Sequence, residues 1–188
     1  MIFNEEKYEN GIIVGRFQPF HLEHLRFAVA AASKVSHLWV GITCPFGNYI
    51  QETGGVRTTV SANPLPYWLR FKCVETALLH DAGISRDKFS ILPAPLVSEI
   101  LEQLVPKGTV FLTTIVDERS VQKEGLFFNA GFKVIRIDFE YRPISGTLIR
   151  EKIRKGDEGW KEFVPRSILE NYASSIDAYV RIEAAHQF

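Results

Sequence analysis

The chain has 188 residues, 46% of them apolar and 23% charged, the balance of a globular domain and not of a disordered, fibrous or coiled-coil sequence. Lys plus Arg and Asp plus Glu each total 22, so the formal charge is zero and no global field draws the chain to nucleic acid or an anionic membrane. Two cysteines, Cys44 and Cys73, are too few for a disulfide framework. The acidic start lacks a signal-peptide pattern and no apolar run reaches ~20 residues, so the expectation is a cytoplasmic protein.

Short apolar runs alternate with helical patterns along the chain. Residues 11–17 (GIIVGRF) predict a strand ending in a Gly-Arg turn, and apolar residues recur at helical spacing over 22–35. Residues 37–43 predict a second strand. The stretch 44–63, with Pro45, Gly47, Gly54 and Gly55, reads as a loop whose length suggests a functional role. A long helix is expected over 64–82, with Asn63 as N-cap and Pro64 in its first position. Further along, 88–92 is a brief strand, 96–105 a short helix, and 109–116 a strongly apolar strand. A helix over 117–130 stops at Gly131, 132–139 is another strand, and 146–155 and 167–184 are helices.

Strands alternating with helices imply βαβ units and a parallel sheet. The predicted fold is a doubly wound, Rossmann-like α/β domain with a five-stranded parallel sheet and a C-terminal helical tail. One domain spans 1–188, with an α/β core over 11–143 and the tail over 144–188. In such sheets ligands bind beyond the carboxyl ends of the strands, where the strand order reverses. That places the site at the first strand-to-helix turn, Gly15 to His24.

Around that turn Arg16, Gln18, His21 and His24 converge on a helix start, whose unpaired N–H groups and partial positive charge suit phosphate. His21 and His24 are three residues apart and share one helix face. An isolated pair of this kind is commonly solvated, and no third residue of metal-ligand spacing stands nearby. The second cluster is Ser145-Gly146-Thr147 with Arg150 one turn on, again an anion-binding helix start with a good N-cap. Residues 142–155 carry five basic side chains and one acidic, a local surplus in a neutral protein. No GxxxxGK[ST] sequence is present, which disfavours a P-loop ATPase.

GRFQPFHLEH (15–24) resembles the GRFQPFHxGH signature of the HxGH nucleotidyltransferase superfamily, and ISGTLIR (144–150) resembles its companion ISGTxIR. Ala62-Asn63-Pro64 ahead of Arg70, and the segment from Gly159-Trp160 to Val164-Pro165, are similar to the archaeal nicotinamide mononucleotide adenylyltransferase branch. Two departures stand out. Glu23 replaces the signature glycine, where a carboxylate would crowd a base, repel phosphate, or bond to base or sugar. Asp117-Glu118-Arg119 resembles relatives that activate other acceptors, including cytidylyltransferases of phosphonate and cell-surface metabolism.

The resemblance implies transfer of a nucleoside monophosphate from ATP or CTP to a small phosphate- or phosphonate-bearing acceptor, with release of pyrophosphate. It implies that His21, His24, Arg16 and Arg150 are catalytic and that Gly15, Phe17, Gln18, Ser145, Gly146 and Thr147 bind nucleotide. Mg²⁺ would enter bound through the triphosphate. Arg57, Asn63, Asp117 and Glu118 are candidate acceptor contacts. The alternatives are a CTP-specific cytidylyltransferase and a nucleotide-binding module without turnover; no nucleic-acid or membrane partner is expected, and homo-oligomerisation is left open. His37, His80 and His186 read as structural or solvated. Trp39 and Trp160 read as core, and Trp68 as core or as a base-stacking ring.

Overall fold

The computed structural model describes residues 7–45, 59–115, 118–138, 140 and 142–185. Its elements run β1 (Tyr8–Gly15), α1 (Leu22–Ser33), β2 (Val35–Ile42), α2 (Tyr67–Thr76), β3 (Phe89–Pro93), α3 (Ser98–Leu104), β4 (Val110–Thr113), α4 (Glu118–Asn129), β5 (Val134–Arg136), α5 (Gly146–Arg154) and α6 (Arg166–Ala185). All strand pairs are parallel, in the order β3-β2-β1-β4-β5. The chain thus builds outward from β1 to β3, then crosses back to add β4 and β5 on the other side. The winding reverses between β1 and β4, and a crevice opens beyond their carboxyl ends. This is the expected doubly wound fold.

Alternating strand residues feed two apolar layers. Ile13, Leu38, Val40 and Leu112 face Ala28 of α1, Leu69 of α2, Ile149 of α5 and Ile176 of α6. On the opposite face Ile12 and Phe111 meet Leu101 of α3 and Phe127 of α4. The Phe111 and Phe127 rings stack at 3.8 Å. Trp160, on a 3₁₀ turn over Glu158–Phe163, is fully buried, as expected for a core residue. Trp39 is only partly buried and donates to Asn10 Oδ1 at 3.0 Å. Both cysteines are buried free thiols. No helix among the described residues is long and apolar enough to cross a membrane.

Several boundaries differ from expectation. The helix predicted from Pro64 starts at Tyr67, after Pro66 in extended conformation, because a proline at 66 disfavours helical geometry for Leu65. Asn63 is therefore no N-cap. The helix also changes character, passing from α to a single π segment over Ala77–Asp81. β4 and β5 are shorter than their apolar runs, since β5 pairs with β4 only over Phe111 to Thr113. Gly131 ends α4 as predicted, with a φ of 80° that favours glycine. Trp68 is not a core residue: it is 51% exposed, and its ring meets Tyr179 of α6 edge-on. His37 is structural, with Nδ1 3.1 Å from the Asp87 carbonyl and Nε2 3.0 Å from Ser90 Oγ. His80 is exposed, and His186 lies outside the described residues.

Candidate active site

β1 ends in an unusual turn. Phe17 adopts a left-handed backbone, φ 53°, which is strained for a bulky residue. Its ring folds back over Gly15 so closely that a Cβ there would lie 2.5 Å from a ring carbon. Glycine at 15 is thus a steric requirement. The Phe17 ring also packs against Phe20, with centroids 5.2 Å apart. Gln18 joins the turn to the far side of the loop: its amide donates to the Leu65 carbonyl at 3.1 Å and accepts from Leu65 N at 2.9 Å. The buried side chains of Phe17 and Gln18 therefore shape the turn. At Gln18 the atom that faces the second motif is the backbone carbonyl.

His21 caps the start of α1 in extended conformation. His24, one turn on, accepts from the His21 backbone N–H through Nδ1 at 3.3 Å, so its neutral form carries the proton on Nε2. The two imidazoles stack 3.6 Å apart, and His24 meets the Phe17 ring edge-on. Burial pushes His21 down to about 3. Burial likewise takes His24 well below the ordinary histidine range, helped by the positive fields of His21, Lys123 and Arg16. Both rings are thus neutral near pH 7. Buried His21 Nδ1 has no hydrogen-bond partner among the described residues.

The second motif reaches this turn directly. Ser145 caps α5, its hydroxyl accepting from Leu148 N at 3.2 Å. Gly146 lies against the turn: a Cβ there would meet the Gln18 carbonyl oxygen at 2.6 Å. Arg150, only 4% exposed, donates to that same oxygen at 2.6 Å and to Thr147 Oγ1 at 3.3 Å. Burial, with the nearby charges of Arg16 and Arg154, pulls Arg150 down to about 10, so it stays cationic near neutrality. Its buried Nε also lacks a partner among the described residues. Ser145 and Thr147 are exposed at the start of α5. The start of α5, with its guanidinium, hydroxyls and helix N-terminus, therefore meets the turn that leads to the two histidines at one carbonyl oxygen, and such groups suit a polyanion.

Beneath the turn lies Arg70, on α2 and 1% exposed. It donates to the carbonyls of Arg16 and Thr43 at 3.0 and 2.8 Å and of Cys44 and Pro45 at 2.9 and 3.4 Å. Carbonyls at strand ends lack ladder partners, and one guanidinium satisfies four of them. Arg16 donates to Asn63 Oδ1 at 3.3 Å, and Asn63 in turn donates to the Thr59 carbonyl. Arg154, one turn beyond Arg150, donates to the Ser61 carbonyl at 2.8 Å. Lys123 occupies the inward stripe of α4 with Ser120 and Phe127, and its charge is felt at His24.

Sequence reasoning gave Arg70, Arg154 and Lys123 no role in the site. The available signals were Arg154 at four residues from Arg150 and a lysine at an inward helix position. Asn63 stands beside the site, bonded to Arg16. Glu118 is exposed in the first turn of α4. Arg57 and Asp117 lie outside the described residues. Glu23 is buried, and both its carboxylate oxygens are engaged within the protein, with Arg26 and with the backbone of Arg142.

The family match and the similar proteins define a nucleotidyltransferase. The chain belongs to the cytidylyltransferase-like family, which it matches over residues 12–152. It is 32% identical over 165 residues to phosphonoformate cytidylyltransferase of Streptomyces viridochromogenes, covering 84% of this chain and 87% of that protein. It is 29% identical over 182 residues to nicotinamide-nucleotide adenylyltransferase of Thermococcus sibiricus, covering 92% and 87%. A bifunctional NMN adenylyltransferase/ADP ribose pyrophosphatase from Francisella tularensis shares the fold with a TM-score of 0.65 at 18% identity. That alignment covers 95% of this chain and 54% of the other, so this chain spans about half the length of that protein. Nicotinic acid mononucleotide adenylyltransferase of Plasmodium falciparum gives a TM-score of 0.51 at 14% identity, covering 92% and 98%.

Proposed function

We propose that this chain transfers a cytidylyl group from CTP to a small acceptor bearing a phosphonate or phosphate, releasing pyrophosphate. The observation that carries the reading is the meeting of both motifs at the Gln18 carbonyl, held by Arg150 across 132 residues of sequence. CTP is favoured by the family and by the 32% identity to a phosphonoformate cytidylyltransferase. An acceptor oxygen attacks the α-phosphorus, a new P–O bond forms, and the bond to the β-phosphate bridge breaks as pyrophosphate leaves. His21 and His24 donate to the α-phosphate oxygens as charge develops there. Arg16, Arg150, Ser145, Thr147 and the N–H groups of Gly146 and its neighbours hold the β- and γ-phosphates. Lys123, near His24, meets the anionic end of the acceptor. Such transfer depends on positioning and charge neutralisation more than on a covalent enzyme group.

Among the described residues no group of three or more His, Cys, Asp or Glu comes together as a metal site. In this reading Ser145, Thr147 and Arg150 would hold the triphosphate together with its Mg²⁺, and the ion would supply charge neutralisation at the phosphates. One related fold is described in complex with AMP and a manganese ion, which favours a divalent ion here too. The reading also keeps the enzyme in the cytoplasm, where nucleoside triphosphates are formed. A second reading, adenylyl transfer to a nicotinamide nucleotide, is supported by the Thermococcus relative.

Pyrophosphate release with CTP and with ATP, each against phosphonoformate, other phosphonates, sugar phosphates and nicotinamide mononucleotide, tests the proposal. Release with CTP and a phosphonate or phosphate acceptor is expected. Release with ATP and nicotinamide mononucleotide alone selects the second reading. Triphosphate binding without release in any combination would overturn both and leave a binding module.

A further inference from the structure

Glu23 stands where the HxGH signature that this sequence resembles has glycine, and its side chain is 2% exposed. Oε1 accepts from Arg26 Nη1 at 2.7 Å, and Oε2 accepts from the backbone N–H of Arg142 at 2.9 Å. The next peptide group is held as well, since the Arg142 carbonyl accepts from Ile144 N at 2.7 Å. One residue after Ile144, Ser145 opens α5. The start of α1 therefore grips the approach to α5 at Arg142, while the turn ahead of it grips α5 itself at Arg150 and Gly146. A glycine at 23 has no group able to reach the Arg142 N–H.

We infer that Glu23 is a positioning residue: its carboxylate sets the segment 142–145, and hence the α5 start, at a fixed distance from His21 and His24. Both its oxygens are held by donors, and a carboxylate in the first turn of a helix is also favoured by the helix dipole. Glu23 thus acts through the placement of the phosphate-gripping helix and not by contact with the base. This inference rests on the nucleotidyl-transfer reading for its effect on rate, but not for the tether itself. A misplacement of about 1 Å in such a site costs up to roughly 10²-fold in rate.

The test uses the full chain as wild type, Glu23→Gln, Glu23→Gly, Arg26→Gln and Arg142→Pro, with amide-resolved hydrogen exchange and steady-state pyrophosphate release. Glu23→Gly is expected to speed exchange at the Arg142 amide about tenfold. It should also lower kcat by roughly 10–10²-fold, with a smaller change in KM for the triphosphate. Glu23→Gln, which keeps an acceptor for Arg142 N–H, should restore both to within about threefold, and Arg26→Gln should stay near wild type. Arg142→Pro removes the same bond from the other end and should match Glu23→Gly in kcat, which covers the case of a Glu23→Gly protein that does not fold. Unchanged Arg142 exchange in Glu23→Gly, or equal kcat losses in Glu23→Gln and Glu23→Gly, would overturn the inference. A wild-type protein that releases no pyrophosphate would sink the transfer reading instead, and exchange at Arg142 would still decide the tether.

Discussion

The two helix starts that face the crevice handle charge in opposite ways. At α1 the polar groups are imidazoles held neutral, His21 down at about 3 and His24 well below its ordinary range. At α5 they are exposed hydroxyls and a guanidinium that burial brings no lower than about 10. One side carries fixed positive charge before any ligand arrives. The other supplies neutral donors that gain charge only beside an anion. Burial explains most of the division: it alone lowers His21, and at His24 the charges of His21, Lys123 and Arg16 add to it, just as Arg16 and Arg154 add to burial at Arg150.

The comparison breaks most sharply at α1. In His21→Ala, kcat for pyrophosphate release should fall roughly 10²–10³-fold, the usual cost of losing one preorganised donor. Circular dichroism should show the fold retained, and an unchanged rate would remove α1 from the chemistry. At α5, Arg150→Lys keeps the charge but loses the planar fork that bonds Gln18 and Thr147 together. A rise of about 10–10²-fold in KM for the triphosphate is expected, and equal KM values would mean charge alone suffices.

The join between the two starts is probed by Gly146→Ala, whose Cβ would meet the Gln18 carbonyl at 2.6 Å. A loss of about 1–3 kcal/mol in urea unfolding is expected. The neutral state of His21 has a thermodynamic signature too. Its pKa is near 6.5 in the unfolded chain and about 3 in the folded one, so only the unfolded chain takes up the proton as pH falls between those values. Stability is full above pH 6.5 and declines toward pH 3, with a limiting slope of about 1.4 kcal/mol per pH unit. Denaturant midpoints across that range should fall less steeply in His21→Gln. Trp68→Ser, on the exposed face against α6, should shift stability by less than about 0.5 kcal/mol in the same assay.

Much of the scaffold was legible because its signals are local. The alternation of β-branched runs and helical spacing gave the parallel sheet, and Ser145 and Gly131 announced a helix start and stop that the structure contains. Asn63 misled because Pro66, two residues past Pro64, displaced the helix start and freed the Asn63 side chain for Arg16. Arg70 was invisible as a clamp: a lone arginine in a helix looks solvated until two strand ends aim their carbonyls at it. Lys123 and Arg154 sat on ordinary helices, and only the packing of α4 and α5 put them beside the site.

By itself the sequence determined the order of elements, their periodicities and the residue types at each helix start, because these follow from sterics and hydrogen bonds among near neighbours. Only the tertiary structure decided which buried polar group answers which. Gln18 lends its carbonyl to an arginine from a distant helix, and Glu23 lends its carboxylate to a backbone N–H 119 residues away. A buried polar atom bonds whatever packing brings within reach, and packing is settled by apolar surfaces far from the groups it joins.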